Sequence, residues 1–121
     1  MTSVRRYNNL SNVVLRVAPR STPGSTAPAV LVNAHFDSVL GSPGASDAAS
    51  CVAVALEMAR AMVAGGAAAL PAPVVFLFNG GEETLMQASH GFMAASKYAK
   101  GLGAFVNLES TGPWGARGSG V

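Results

Sequence analysis

Only six of the 121 residues are acidic, and five of these, Asp37, Asp47, Glu82, Glu83 and Glu109, follow an apolar run or lie in a glycine-containing loop leading to a helical pattern. The sixth, Glu57, belongs to a helix body, three residues from Arg60. No Lys or Arg occurs between Arg20 and Arg60 or between Arg60 and Lys97, so local ion pairing does not account for the first four of the five. His35 stands two residues before Asp37. Gathering these carboxylates around an imidazole without cations would be costly in repulsion and desolvation, unless a divalent metal neutralises them. One imidazole, several carboxylates and no second cysteine suit zinc, or manganese or cobalt, better than calcium. Asp37 is then placed to accept the other ring N–H of His35 and fix its orientation.

Such residues converge only if the chain brings them to one edge. Asn12 to Val17 reads as a first strand, and Pro19 to Pro28, rich in Ser, Thr, Gly and Pro, as a loop. Ala29 to Ala34 and Pro73 to Phe78 are apolar runs without alternation, the pattern of strands buried on both faces. Ala104 to Leu108 is a fourth, briefer strand. Ser46 to Val63 reads as a helix with Ser46 as N-cap, Val52, Leu56, Ala59 and Val63 on one face, and Gly65-Gly66 as its end. A second helix, Leu85 to Lys100, turns Ala88, Phe92 and Ala95 inward and stops at Gly101, with Gly91 as a weak point. The order strand, strand, helix, strand, helix, strand predicts an α/β fold, three-layer α/β/α with a mostly parallel central sheet. If the inner strands are parallel, the groups that follow them meet beyond the strands' carboxyl ends, where open α/β sheets bind ligands.

Each acid also has a plainer reading. Glu82-Glu83 after Gly80-Gly81 fits the acidic first turn of a helix, Asp47 an early-turn residue, Glu109 a solvated strand end, and His35 a hydrogen-bonded strand-end histidine. Jointly these readings leave the clustering unexplained. His90 lies on the second helix, turned away from the strand ends, and is a poor ligand. The loop Gly41 to Ser46 precedes a helix but lacks the Gly-Lys-Ser/Thr ending of a phosphate loop. Ser38, Ser46 and Ser89 lack the Gly-x-Ser-x-Gly pattern of a serine hydrolase.

Composition sets further bounds. Half of the residues are hydrophobic, 12% are charged and the net charge is +2. One domain with one core is expected, and without a Lys/Arg cluster nucleic acid is excluded as a partner. Cys51, the single cysteine, sits in an apolar stretch and reads as a small buried hydrophobe. No secretory signal pattern is visible at the N-terminus. The apolar stretch from Ala48 to Phe78 is broken by Glu57, Arg60, Gly65-Gly66 and two prolines, short of a membrane span. The glycine-rich stretch from Gly112 onward completes no further element, so an incomplete domain is expected.

Six ordered blocks carry a resemblance: Asn9-Leu-Ser-Asn-Val-Val, Asn33-Ala-His35-Phe-Asp37-Ser, Ser42-Pro-Gly-Ala-Ser-Asp47, Phe76-Leu-Phe-Asn-Gly-Gly-Glu82-Glu83, Gln87-Ala-Ser-His-Gly-Phe and Asn107-Leu-Glu109. In these the chain resembles the zinc aminopeptidase family with two co-catalytic metals, most closely its endoplasmic reticulum metallopeptidase branch, over roughly residues 7–112. The resemblance implies a zinc exopeptidase-like fold, incomplete at the C-terminus, with residues 1–121 as one partial peptidase domain. It implies two Zn2+ per complete site: His35 and Glu83 on one, Asp47 bridging both, Glu109 on the other. Glu82 is then the general base and Asp37 orients His35. The implied chemistry polarises a peptide carbonyl and acidifies a water, whose proton Glu82 passes to the leaving amine.

The substrate so implied is a peptide, and the location the endoplasmic reticulum membrane, although no membrane segment is seen in this chain. Oligomeric state has no signature. Two departures stand out. The family follows its bridging aspartate with a second acid where this chain has Ala48, and it supplies a further histidine ligand from a later segment. For the chain as given the expectation is therefore weak catalysis and one well-formed metal position at His35, Asp47 and Glu83, or else a non-catalytic metal-binding remnant of the same fold.

Overall fold

A computed structural model describes residues 8–19, 27–67 and 70–110. Strands β1 (Asn12–Val17), β2 (Ala29–His35), β3 (Val74–Asn79) and β4 (Leu102–Asn107) form one sheet in the order β1-β3-β2-β4. β2 is parallel to both β3 and β4, while β1 pairs antiparallel with β3 at one edge. The inner strands therefore run parallel, within a mixed sheet. The two apolar runs are the two central strands, and all six residues of β3 are buried. The edge strands leave Val13 57% and Phe105 62% exposed. The expected loop from Pro19 to Pro28 falls mostly outside the described residues.

Helix α1 (Ser50–Ala64) follows a kinked turn at Ala45–Ala49, in which Asp47 and Ala48 have non-helical backbone. Its buried face is Cys51, Ala55 and Ala59, spaced by four, with Val52 partly buried. Leu56 and Val63, expected inward, are 53% and 61% exposed. Small side chains let the helix approach the sheet closely, where Val32, Phe76 and Phe78 fill the space between. Ser46 does not cap the helix: the N-cap is Ala49, and the Ser46 carbonyl accepts from the Ser50 hydroxyl at 3.1 Å. The end falls where expected, with the Gly65 N–H on Ala61 O and Gly66 at φ +77. Glu57 and Arg60 form the expected exposed ion pair, at 2.6 Å.

Helix α2 (Gln87–Ala95) is shorter than its sequence pattern, because Leu85 and Met86 adopt φ +74 and +57 and cannot continue a right-handed helix. Ala88 and Phe92 are buried as expected, whereas Ala95 is exposed. Phe92 packs on Ala29, Leu31, Val75 and Leu77, whose alternation along the strands puts them opposite the α1 face. A short 3-10 turn, Lys97–Ala99, then leads to Gly101 and β4. Among the described residues no helix is long and apolar enough to cross a membrane.

Candidate metal centre

Parallel pairing of β2, β3 and β4 sends their carboxyl ends to one edge. His35 is the last residue of β2; Glu82 and Glu83 come three and four residues after the end of β3; Glu109 comes two after β4. Backbone bonds tie these ends together, from Phe36 N–H to Asn79 O and from Leu108 N–H to Asn33 O, both 2.9 Å. Gly80 allows the closeness, since a Cβ there would meet the Phe36 ring at 2.5 Å and Ser11 O at 2.7 Å. Asp47 arrives from the turn before α1, after a Gly44 with φ +64. The peptide bond between Asp47 and Ala48 is cis. Ala48 itself, where the family pattern has an acid, is buried against Ala34 and Cys51.

His35 is fully buried at the centre of the cluster. Its Nδ1 lies 2.9 Å from the Asp37 backbone oxygen. A carbonyl only accepts, so Nδ1 bears the proton, and in a neutral imidazole Nε2 is then a bare lone pair. That lone pair faces two carboxylates, Asp47 Oδ1 at 3.0 Å and Glu109 Oε1 at 3.2 Å. Three electron-rich atoms in contact require a positive charge among them, either a proton on Nε2 or a shared cation. Burial is the largest single influence on the ring's pKa and lowers it, yet the Asp37 carbonyl, Glu109 and Asp47 together outweigh it and raise the pKa above 6.5.

Asp37 reaches His35 through its backbone, while its carboxylate, 3.6 Å from Nδ1, is occupied elsewhere. Its two oxygens accept the N–H groups of Glu82 and Glu83, each at 3.1 Å. One residue thus fixes both the imidazole and the diglutamate segment. Glu83 Oε1 is buried and finds no hydrogen-bond partner among the described residues. For Glu82, burial raises the pKa most, with Glu109, Glu83 and Asp37 adding to it and His35 opposing. Glu109 is lowered: burial pushes upward most strongly but is outweighed by the Ser110 N–H, the Asn107 amide and His35. The helix-dipole reading of Glu82-Glu83 fails, since neither is in the first turn of α2.

All five acids that follow strands or loops therefore gather around His35. Two sets place their ligand atoms within 4.8 Å of one another: His35 with Asp47 and Glu109, and His35 with Glu82 and Glu83. Asp47 and Glu83, expected to share an ion with His35, are divided between the two sets, and His35 belongs to both. His90 belongs to neither. Among the described residues, no Lys or Arg pairs with any of the five. The donors, one imidazole nitrogen and several carboxylate oxygens, fit a divalent cation, and the lone Glu83 oxygen and the crowded Nε2 are the two atoms that most need one. The cluster opens to solvent through a groove of about 800 Å³ bordered by Glu82 and Glu109.

Three asparagines, each standing in one of the six blocks but given no role from the sequence, support the cluster. Asn33 and Asn79, 7% and 0% exposed, and Asn107 form hydrogen bonds that end on Glu109. The available signal was a polar residue inside, or directly after, each of three apolar runs. Cys51 is buried as expected, and its thiol donates to the Glu109 backbone carbonyl at 3.0 Å.

A mixed α/β sheet with an imidazole and carboxylates at its strand ends defines the class, an α/β domain with a candidate divalent-metal site. Residues 12–117 match the profile of peptidase family M28, and the chain belongs to that family. It is 50% identical over 113 residues to endoplasmic reticulum metallopeptidase 1 of Mus musculus and 47% over 109 residues to that of Homo sapiens. It is 33% identical over 109 residues to the vacuolar membrane protease of Yarrowia lipolytica. These matches cover 90% of this chain, but only 12%, 12% and 11% of the respective relatives. No solved structure gives a significant match.

Proposed function

We propose that this chain forms the metal-binding part of a two-zinc aminopeptidase site, on a three-layer α/β/α, zinc exopeptidase-like fold. His35 and Glu83 would hold one Zn2+, Glu109 would hold the other, and Asp47 would contribute to both. The observation that carries this reading is the His35 Nε2 lone pair, set by the Asp37 carbonyl and faced by two carboxylate oxygens. When bound, the metals supply Lewis acidity toward a peptide carbonyl and a water.

The protein's own residues do the rest. Asp37 holds the imidazole tautomer and, through two N–H bonds, the backbone of Glu82 and Glu83. Glu82, its affinity for a proton enhanced by burial and by neighbouring carboxylates, takes the proton from water and delivers it to the leaving amine. The substrate is a peptide with a free N-terminus. Relatives named for the endoplasmic reticulum suggest that compartment and its membrane for this protein. The test is zinc-dependent hydrolysis of N-terminal peptide bonds by the intact protein, abolished in Glu82→Gln while metal stays bound. Near-normal rates in that variant would overturn the general-base assignment.

The alternative, a metal-binding remnant without turnover, has one observation in its favour. His35 is shared between the two ligand sets, and no second imidazole joins either among the described residues. Bound metal without hydrolysis in the intact protein would establish it.

A further inference from the structure

Three asparagines, one from each parallel strand, lie on one face of the sheet. Asn33 pairs across from Asn107, and Asn79 pairs across from His35, two residues along the strand from Asn33. Asn79 Nδ2 donates to Asn33 Oδ1 at 2.8 Å, and Asn33 Nδ2 donates to Asn107 Oδ1 at 2.6 Å. Asn107 Nδ2 then donates to Glu109 Oε2 at 3.1 Å. Every amide gives its N–H toward Glu109, and Asn33 and Asn107 each receive on the oxygen from the side away from it.

The direction follows from chemistry. A carboxylate only accepts, so Asn107 must turn its nitrogen to Glu109 and its oxygen to Asn33, and each earlier amide is oriented in turn. Reversal would set Asn107 Oδ1 against Glu109 Oε2. The chosen direction leaves Asn79 Oδ1 buried and unpartnered among the described residues, a cost borne at the end of the chain opposite Glu109. Packing gives no reason for amides here, because the preceding residues on the same face are Leu31 and Leu77, both buried. The outcome at Glu109 is a division between its oxygens: Oε2 goes to the amide chain, and Oε1 turns to His35 Nε2 and the Ser110 N–H.

We propose that Asn79, Asn33 and Asn107 are positioning residues, a one-way amide chain that fixes the Glu109 carboxylate so that Oε1 alone is offered to the metal position that Glu109 shares with Asp47. This rests on the metallopeptidase reading and extends it from the ligands to what aims one of them. Neither Asn33 nor Asn79 is hydrogen-bonded to Glu109 itself; their amides reach it through Asn107. Loss of such an orienting partner lowers metal affinity by about 10–100-fold.

The experiment is a titration of the metal-free intact protein with Co2+, followed by its visible absorption, which reports stoichiometry and coordination separately from activity. Asn33→Leu is expected to weaken one of two Co2+ positions by about 10–100-fold and alter its absorption, leaving the other unchanged. If Asn33→Leu does not fold, the exposed Asn107 provides a second comparison. Asn107→Asp keeps the shape and accepts from Asn33 but faces Glu109 with a carboxylate, so it is expected to weaken that position more than Asn107→Ala. A purely structural role predicts the reverse order, with the isosteric Asp milder. Two unchanged Co2+ positions in a folded Asn33→Leu, or Asp milder than Ala at 107, would overturn the amide chain and leave the metallopeptidase reading intact. A wild-type protein that takes up no Co2+ would overturn that reading and the chain with it.

Discussion

Replacing Asp37 with asparagine isolates the contact on which the most geometry depends. The carboxylate accepts two backbone N–H groups, from Glu82 and Glu83, each at 3.1 Å and each on its own oxygen. Hydrogen bonds to a charged group contribute about 1.5–3 kcal/mol each, and neutral ones about 0.5–1.5 kcal/mol. Asparagine keeps one oxygen, so one bond survives in weaker form. The other oxygen becomes an NH2 that meets an N–H head on. The full loss of one charged bond is tempered by water, because the Asp37 side chain is 22% exposed. The expected cost is about 2 kcal/mol, near the low end of that range.

Two measurements check this. Urea unfolding of the metal-free protein should show Asp37→Asn destabilised by about 2 kcal/mol. If the cost is met instead by local release of the diglutamate segment, stability changes less and turnover more: 2 kcal/mol corresponds to roughly 30-fold. If Glu82 is the general base proposed above, that loss should appear in kcat with KM little changed, because such a base acts on the proton in transfer and not in substrate binding. The His35 tautomer should survive, since it is set by the Asp37 backbone oxygen, which the substitution leaves in place. Asp37→Asn within about 0.5 kcal/mol of wild type in urea, and within twofold in kcat, would refute the clamp.

Two further outcomes follow from the same structure. Glu82 has a folded-state pKa raised above 4.5, first by burial, so the folded state binds its proton more tightly than the unfolded one, and the associated stability is present below 4.5 and lost as pH rises through the raised value. Metal-free Glu82→Gln should therefore be more stable than wild type at pH 7, with the difference vanishing below pH 4.5; a difference independent of pH in urea titrations would contradict this. Ala55, 1% exposed between α1 and the sheet, leaves no room for larger groups, so Ala55→Leu should cost about 1–3 kcal/mol in chemical denaturation; a neutral result would show that the helix stands off the sheet.

The strands were legible because two of them are buried on both faces and so contain unbroken apolar runs; the Asn12–Val17 boundaries follow from the sequence directly. The acids were legible through scarcity, since five carboxylates with no nearby cation are costly to gather unless an ion joins them. The buried face of α1 was not. Hydrophobic spacing weights Leu56 and Val63, whereas close approach to the sheet selects Cys51, Ala55 and Ala59 for being small. The start of α2 was hidden because left-handed backbone at Leu85 and Met86 has no glycine to announce it. Asp37 was recognised as the partner of His35, but that its backbone would serve the ring and its carboxylate the next strand's loop is a three-dimensional fact. The asparagines stood in the six blocks but were given no role, because one polar residue in or beside an apolar run looks like noise until its neighbours across the sheet are polar too.

The carboxylates differ in how fully the protein itself satisfies them, and the differences bear on where a cation matters most. Asp37 is neutralised by two N–H donors. Glu109 receives an amide on one oxygen and the Ser110 N–H on the other, in addition to His35. Glu83 keeps a buried oxygen with no partner among the described residues, and Glu82 holds its proton more readily than an ordinary carboxyl. A metal replacing the proton on His35 therefore gains least beside Asp37 and most on the Glu83 side. That gradient separates the roles. Asp37 and Glu109, each with protein donors on its oxygens, are suited to aiming other groups, while Glu82 and Glu83 sit on the one loop whose backbone Asp37 holds, where a bound cation would relieve the most unmet charge.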